Sequence, residues 1–213
     1  MNRPYFRSLF SPKLEEPVFV AGLPGFGNVG KIAAQLLIKF CRAKVFAELY
    51  SPSFPDFISV DSAGICHLPR YEFYTSSIGQ TQFIILTGDV QPSEEDVVAH
   101  YEICGEILDF LDGYKCRYII AAGGLPTPKP AGEVYVSATS SRLASEVANI
   151  GAQIYAGGKI MEAAGLMLGL AKNRGWDGVY LLGATTGLKA DRGSGFSVFK
   201  FLTKMLRIEK AGS

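Results

Sequence analysis

The sequence predicts an α/β fold, in which a mostly parallel sheet is flanked by helices and interrupted by an inserted β-hairpin region. Three almost continuous apolar runs, at residues 83–86, 118–121 and 179–182, are typical of parallel strands covered on both faces. Segments with helical periodicity separate several of these runs. The chain has 213 residues, of which 48% are hydrophobic, so it suits one domain with a sizeable core.

The elements are expected within a single domain over residues 17–207, after a lead-in at 1–16 and before a short tail at 208–213. Strands are predicted at 17–22, 44–50, 82–87, 117–122, 133–136 and 179–184. Helices are predicted from an N-cap at Ser93 to Gly113, and at 140–149, 161–173 and 196–206. In the block 51–80, two alternating segments flank Asp61–Gly64, which indicates a hairpin.

Composition excludes several classes of partner. The net charge is +1, from 21 basic and 20 acidic residues, which predicts neither a nucleic-acid partner nor a membrane surface. The four cysteines have no metal-ligand spacing and are expected as free thiols in a reducing cytoplasm. The only histidines are His67, expected to be structural, and His100, and without a third ligand no metal site is predicted.

A glycine-rich turn follows the first predicted strand. It carries G-x-G-x-x-G at Gly25, Gly27 and Gly30 and leads into a long apolar segment with helix-forming residues. A strand, a glycine turn and a helix N-terminus can present backbone N–H groups to a phosphate. Glu48, eighteen residues after Gly30, then occupies the position of the acid that hydrogen-bonds the ribose in dinucleotide-binding folds.

Other features favour a tight crossover whose glycines allow close packing. After Glu48 the chain enters a proline-rich loop and a hairpin, whereas a dinucleotide fold would continue with helix and strand. Pro24, which lacks an N–H, lies between the strand and the first motif glycine. Dinucleotide binding is therefore the less favoured interpretation, while an anion or another ligand at this turn stays open.

If the predicted strands are parallel, the turns after residues 22, 87, 122 and 184 meet at one edge of the sheet. The ligand-binding candidates there are Gly25, Gly27, Asn28, Gly30, Asp89, Gly123, Gly124 and Thr185. Asp89 is the only acid among them and the candidate acid or base of an enzyme. No nucleophile–base pair accompanies it, which favours an architecture without a reaction and without a cofactor.

Four ordered stretches resemble the family of the second proteasome assembly chaperone. They are AGLPGFGNVGKIAAQLLI, FIILTGDVQPSEEDVVAHYEICGEILDFL, YIIAAGGLPT and GLMLGLAKNRGWDGVYLLGATTGLKADRGSGFSVFKFLTKML, and the resemblance spans about Pro17 to Leu206. It implies a phosphorylase-like three-layer sandwich, like that of the purine nucleoside phosphorylases. It also implies a homo-oligomer that scaffolds assembly of the proteasome α ring, in a family without an agreed active site.

The chain departs from that family pattern at two places. Gly183-Ala184-Thr185 stands where the family usually has Gly-Glu-Thr, so chemistry that needs that acid is not expected. Some archaeal relatives end in a hydrophobic-tyrosine-any tail that docks into proteasome pockets. Residues 209–213, EKAGS, do not match that tail, so tail docking is not expected either.

Two hypotheses follow for the function. The preferred one is a cytoplasmic, non-enzymatic homo-oligomeric scaffold, with proteasome α subunits as further partners. Its partner surface is expected on the apolar loops Phe54–Phe57 or Leu68–Tyr71. The alternative is a nucleotide- or nucleoside-binding enzyme of the phosphorylase or hydrolase kind, which would use the glycine-rich loop at 22–30 and Asp89 as acid or base.

Overall fold

A computed structural model describes residues 3–161 and 163–208. Within these residues, the strands are β1 (Tyr5–Ser8), β2 (Val18–Gly22), β3 (Lys44–Tyr50), β4 (Ser59–Val60), β5 (Cys66–His67), β6 (Tyr71–Ile78), β7 (Thr81–Gly88), β8 (Tyr118–Pro126), β9 (Val134–Ala138), β10 (Gln153–Ile154) and β11 (Asp177–Thr185). The helices are α1 (Val29–Phe40), α2 (Val97–Asp112), α3 (Ser141–Ile150), α4 (Ala163–Asn173) and α5 (Arg192–Met205). The predicted tail beyond residue 208 lies outside the described residues.

The main sheet has the strand order β1-β3-β6-β7-β2-β8-β11-β9-β10. Its centre is parallel, because β7, β2, β8 and β11 pair in the same direction. The pairings from β1 through β3 and β6 to β7 are antiparallel, as is that of β11 with β9. The predicted α/β sheet flanked by helices is confirmed, and it is a mixed sheet with a parallel centre.

The antiparallel pairings that the sequence did not predict come mainly from β6, which lies within the block predicted as a hairpin. A two-residue turn at Gly79, with φ of +59°, joins β6 to β7, and the two strands then pair over their whole length. Tyr71 and Phe73 are fully buried, whereas Glu72 and Tyr74 next to them are half-buried. This alternation with a period of two is typical of a strand. Pairing with β3 and β7 makes β6 a member of the main sheet.

Helices cover both faces of the sheet, which confirms the three-layer arrangement. Phe19 and Ala21 of β2 belong to the core under α2 and α4. Val20, between them, belongs to the opposite core under α1, α3 and α5. Because successive side chains of a strand point to opposite faces, one short apolar strand contributes to both cores.

The predicted N-cap of α2 is wrong, while α3 begins close to the start of the helix predicted at 140–149. Asp96, rather than Ser93, caps α2, since its carboxylate accepts a hydrogen bond from the N–H of Ala99 at 3.0 Å. Ser140 caps α3 by accepting from the N–H of Leu143 at 3.3 Å. In both helices the capping side chain lies three residues before the N–H that it accepts from.

The start of α5 lies earlier than the predicted Phe196. The Asp191 carboxylate accepts from the N–H of Ser194 at 2.9 Å, so the helix begins at Arg192. Residues 193–195, Gly-Ser-Gly, therefore belong to its first turn. Glycine is a weak helix former, so by sequence these three residues fit a flexible turn as well as a helix start, and the structure shows the helix start.

The inserted hairpin is confirmed as a separate two-stranded sheet of β4 and β5. The lead-in supplies β1, which pairs with β3 at one edge of the main sheet, and Phe6 stacks on Phe110 with ring centroids 4.3 Å apart. Among the residues described, no helix is long and apolar enough to cross a bilayer. The same residues contain no cluster of three His, Cys, Asp or Glu side chains that could hold a metal ion.

Candidate functional site

The turns after β2, β8 and β11 meet at one edge of the sheet, which we call the glycine edge (residues 22–30, 122–127 and 185–191). A Cβ added at Gly30 would overlap the carbonyl oxygen of Ala122 and lie 3.3 Å from the Cα of Gly123. One added at Gly124 would overlap the carbonyl oxygen of Phe26. The glycines therefore let the turn and the start of α1 lie directly on the end of β8.

Gly22 and Gly27 serve the same close packing. A Cβ on Gly22 would overlap the carbonyl oxygen of Gly30, so the end of β2 needs a glycine where α1 begins. Gly27 has φ of +61°, and a Cβ there would lie 2.6 Å from Oγ1 of Thr185. Asn28 also has a positive φ, of 51°, and its N–H donates to the carbonyl oxygen of Gly25 at 2.8 Å. At these glycines the neighbours are atoms of the chain itself, whereas Gly25 and Phe26 line a cavity of about 570 Å³ that reaches α2 and α4.

A network of hydrogen bonds closes the edge on the side of β11. The N–H of Asp191 donates to the carbonyl oxygen of Gly27 at 2.8 Å. Thr185, fully buried, donates its hydroxyl to the Asp191 carboxylate at 2.8 Å and accepts from the N–H of Gly187 at 3.2 Å. Asp191 thus joins the glycine turn, the end of β11 and the start of α5.

Gln91 ties the same turn to the opposite helical layer. Its side-chain amide donates to the carbonyl oxygen of Pro24, and its side-chain oxygen accepts from the N–H of Ala163, the first residue of α4, at 3.2 Å. Asp89 lies at the surface beside the first turn of α1, with a half-exposed carboxylate 3.8 Å from the ammonium of Lys31. Its geometry is that of a surface ion pair.

Glu48 is far from the place that a dinucleotide fold requires. Its strand, β3, is separated from β2 by β6 and β7, whereas the fingerprint needs the acid on a neighbouring strand. Glu48 is instead held by Arg70 at 3.2 Å and accepts from the hydroxyl of Tyr50 at 3.0 Å. Arg70 also contacts Glu72 at 2.8 Å, so this acid belongs to a half-buried structural network.

The buried cysteines are poor nucleophiles. Burial raises the pKa of the Cys104 thiol to about 12 and that of the Cys41 thiol to about 11. Burial also raises the pKa of Cys116 to about 11. At neutral pH these side chains are thiols, and the thiolate is the reactive form.

The β4–β5 hairpin leaves five large apolar side chains exposed, and we call them the hairpin surface. They are Phe57, Ile58, Val60, Ile65 and Leu68, with 46–60% of each exposed. A cavity of about 550 Å³ adjoins them and is lined by Tyr50, Phe54 and Pro69, among others. Of the loops predicted to bind a partner, Phe54 and Tyr71 are buried against each other, with ring centroids 4.8 Å apart, while Phe57 and Leu68 face outward.

Asp61 organises the turn of this hairpin. Its carboxylate accepts from the N–H groups of Ala63 at 2.8 Å and Ile65 at 3.0 Å, and it lies 3.1 Å from the His67 ring. The hydrogen bond from Ile65, then those from His67 and Ala63, lower the pKa of Asp61. His67 therefore has a structural partner within the hairpin, in agreement with the structural role predicted for it.

The comparison with protein families decides the ancestry of the chain. The model of the PAC2 family matches residues 19–210. The chain belongs to the PAC2 family. Its fold agrees with that of a PAC2 relative, Pyrococcus furiosus PbaB, described as an archaeal proteasome activator: the TM-score is 0.92 at 35% identity, over 98% of this chain and 91% of that chain.

Two further relatives extend the PAC2 comparison. Pyrococcus furiosus PbaA, described as an archaeal homolog of proteasome-assembly chaperone, matches with a TM-score of 0.81 at 25% identity, over 98% of this chain and 83% of that one. An uncharacterised protein of Methanocaldococcus jannaschii is 30% identical over 199 residues, which cover 92% of this chain and 76% of the relative. The resemblance read from the four sequence stretches is confirmed.

Sequence analysis missed residues that shape the glycine edge. Asp191 joins three segments, and its position three residues before Ser194 is the spacing of an N-cap, which could have revealed it. The side chain of Gln91 bonds to residues 67 and 72 positions away, and no local pattern announces those contacts. No local pattern shows the ion pair of Glu48 with Arg70 either, and that network lies apart from the glycine edge.

Proposed function

We propose that this chain is a cytoplasmic, non-enzymatic homo-oligomeric scaffold that engages proteasome α subunits through its hairpin surface. The observation that carries the proposal is the row of exposed apolar side chains on β4, β5 and the adjoining loops. Membership of the PAC2 family and the likeness to PbaB, described as an archaeal proteasome activator, support the choice of partner.

The energetics of the hairpin favour a binding role. An isolated two-stranded hairpin is marginally stable in water, and β4 and β5 pair only with each other. Exposed apolar side chains gain free energy when a partner removes them from water, about 25 cal/mol for each Å² buried. A partner that covers Ile58, Val60 and Ile65 would therefore stabilise the hairpin and gain affinity at the same time.

The test measures binding of purified α subunits from the same organism by isothermal titration calorimetry. The variant Ile58→Ser/Val60→Ser/Ile65→Ser removes the centre of the hairpin surface, and we expect at least tenfold weaker binding. Ile154→Ser is the matched control, because Ile154 is as exposed as Ile58, at 53%, but lies on β10 at the far edge of the sheet. The control should bind like the wild type.

Two results would contradict the proposal. A triple variant that binds within twofold of the wild type would remove the hairpin surface from the interface. A wild-type protein that shows no binding to α subunits at tens of micromolar would remove the proposed partner. Circular dichroism of each variant checks that the main domain stays folded.

The alternative of a nucleotide- or nucleoside-binding enzyme has less support. The backbone of Phe26 and Ala122 lies where a ligand at Gly30 and Gly124 would need room. Thermal denaturation with nucleotides, nucleosides and phosphate tests this alternative, because a ligand that binds the native state raises the midpoint. A rise of several degrees with one of them would favour the enzyme.

A further inference from the structure

Helix α2 exposes an acidic stripe on one side of the molecule. Val98, Glu102 and Glu106 follow one another at four-residue spacing, and all three are exposed, Val98 to 78%. Residues 93–113 contain no lysine or arginine. Asp109 and Asp112 on the same helix are paired with Arg174. Glu102 and Glu106 have no ion pair within the described residues, so their charges are available to a partner.

Helix α5 exposes a basic stripe with the same spacing. Phe196, Lys200 and Lys204 are exposed and again lie four residues apart. The ammonium of Lys200 lies 5.7 Å from the centroid of the Phe196 ring. The only acid among residues 186–208 is Asp191, whose carboxylate is already bound to Thr185 and to the N–H of Ser194. Neither lysine forms an ion pair within the described residues, although Glu133 lines the same cavity as both, and the stripe therefore presents positive charge beside an exposed ring.

The two stripes match residue by residue when the helices run in the same direction. Four residues span about 6 Å along any α-helix, so Val98 falls opposite Phe196, Glu102 opposite Lys200 and Glu106 opposite Lys204. In the opposite direction, with Glu102 still facing Lys200, Val98 would meet Lys204 and Phe196 would meet Glu106. Parallel alignment alone satisfies both charges and the apolar pair.

One chain cannot join its own stripes. Helix α2 packs on one face of the sheet and α5 on the other, so the sheet separates them. Both helices follow parallel strands, β7 and β11, and both therefore begin at the same edge of the sheet. A parallel pairing places a second copy beside the first in the same orientation. Repetition of such a head-to-tail contact closes into a ring when the rotation permits.

Apolar surface beside the stripes enlarges this contact. A groove of about 570 Å³ lies between the first turns of α2 and α4, and Val97, Tyr101 and Met161 line it with exposed side chains. Leu188, 88% exposed, precedes α5 and adds apolar area at the start of the basic stripe. A stable interface buries roughly 800 Å² on each partner, and these apolar groups supply area that the stripes lack.

We propose that the acidic stripe of α2 binds the basic stripe of α5 in a second copy of this chain, in parallel register. The proposal rests on the homo-oligomer of the proposed function and assigns the surface that builds it. Opposite charges bring the two stripes together. The Val98–Phe196 pair selects the parallel direction, because a reversed contact with Glu102 facing Lys204 and Glu106 facing Lys200 satisfies the charges but separates the two apolar side chains. The residues of this contact are different from those of the hairpin surface.

Charge reversal on each side tests the contact by sedimentation velocity. Glu102→Lys/Glu106→Lys makes both stripes basic, and Lys200→Glu/Lys204→Glu makes both acidic. Each variant alone should self-associate at least tenfold more weakly than the wild type. An equimolar mixture should reassociate into alternating assemblies, because each basic stripe then finds an acidic one. Because Lys204 also donates to the carbonyl oxygen of Ile150 at 2.7 Å, the single pair Glu102→Lys and Lys200→Glu repeats the test without disturbing that bond.

The control is Lys13→Glu/Glu15→Lys, which alters exposed charges on the segment before β2 and should associate like the wild type. If the oligomer persists in both charge-reversed variants, the proposed interface is wrong and the oligomeric scaffold still stands. Reversed variants that dissociate but do not reassociate on mixing would overturn the register. A monomeric wild type at tens of micromolar would overturn the oligomeric scaffold itself.

Discussion

The glycine edge and the hairpin surface use their residues in opposite ways. At the glycine edge, small residues bring backbone against backbone, and Gly30 and Gly124 have no room for one more carbon atom. On the hairpin, large residues such as Val60 and Ile65 are more than half exposed. At Gly30 and Gly124 the chain supplies its own neighbours, whereas the hairpin has apolar surface with no cover among the described residues.

This difference separates a packing motif from a binding surface. A phosphate-binding turn and a closely packed turn both need glycines, but for different neighbours: the ligand in one and the chain in the other. Here the neighbours of the motif glycines are atoms of the chain, the carbonyl oxygen of Ala122 for Gly30 and Oγ1 of Thr185 for Gly27. Exposed apolar side chains that lie together have no neighbours within the chain to explain them, and such patches mark sites of association.

The largest effect is expected at the glycine edge. Gly30→Ala should reduce the free energy of unfolding by about 3 kcal/mol, because the new methyl group would force α1 away from the carbonyl of Ala122. Gly105→Ala is the matched control within α2, since a Cβ there meets nothing within 4 Å. It should stabilise by about 0.5–1 kcal/mol, as expected for alanine in a helix interior.

Urea denaturation of both variants measures this pair of effects. A Gly30→Ala variant that is as stable as the wild type, or is stabilised like Gly105→Ala, would show that α1 can shift without cost. The glycine edge would then have room for a ligand, and the contrast with the hairpin surface would fail.

The next effect concerns the hydrogen bonds that close the edge. Thr185→Val should cost about 2 kcal/mol, because it leaves the Asp191 carboxylate and the N–H of Gly187 without their buried partner. Asp191→Asn keeps an oxygen that accepts from the N–H of Ser194. A double-mutant cycle of Thr185→Val and Asp191→Asn should give a coupling free energy of about 1 kcal/mol between the two side chains. Additive losses in urea denaturation would show that the two side chains act separately.

The smallest effect is local and lies in the hairpin. The hydrogen bonds of Asp61 lower its pKa from the ordinary 3.8. The stabilisation of the turn by the ionised Asp61 carboxylate is therefore complete above the ordinary pKa. It is lost as the pH falls through the lowered pKa of the folded state. Amide protection at Ile65, corrected for intrinsic exchange rates, should decrease below about pH 4.

Asp61→Asn provides the control for this pH dependence, since an amide keeps an acceptor oxygen but does not titrate over that range. Its Ile65 amide should show weaker protection with no acid transition. An equal transition in the wild type and in Asp61→Asn would assign the pH dependence to another group.

Much of the fold could be predicted from the sequence because it depends on local patterns. Apolar runs located the central strands, and the alternation around Asp61–Gly64 located the β4–β5 hairpin. Helix starts were less reliable, since several capping residues lie within a few positions of one another. Ser93 and Asp96 both precede α2, and only the hydrogen bond to Ala99 distinguishes them.

The candidate site was predictable only in part. The sequence predicted that Gly25, Gly30 and Thr185 lie at one edge, but it did not show that the chain packs against Gly30 while Gly25 lines a cavity. It marked Phe54 and Leu68 equally as partner-binding residues, yet one is buried on Tyr71 and the other faces outward. Burial depends on what packs against a loop, and that neighbour is distant in the sequence.

The sequence by itself determined the α/β class, the strand–turn–helix at the first glycines, the hairpin and the family, because each depends on the order of residues along the chain. The tertiary structure alone decided the mixed sheet, the separation of Glu48 from the glycine turn, and the placement of the α2 and α5 stripes on opposite faces. These features depend on which strands become neighbours. Strand order is set by the burial of both sheet faces at once, and no local segment records it.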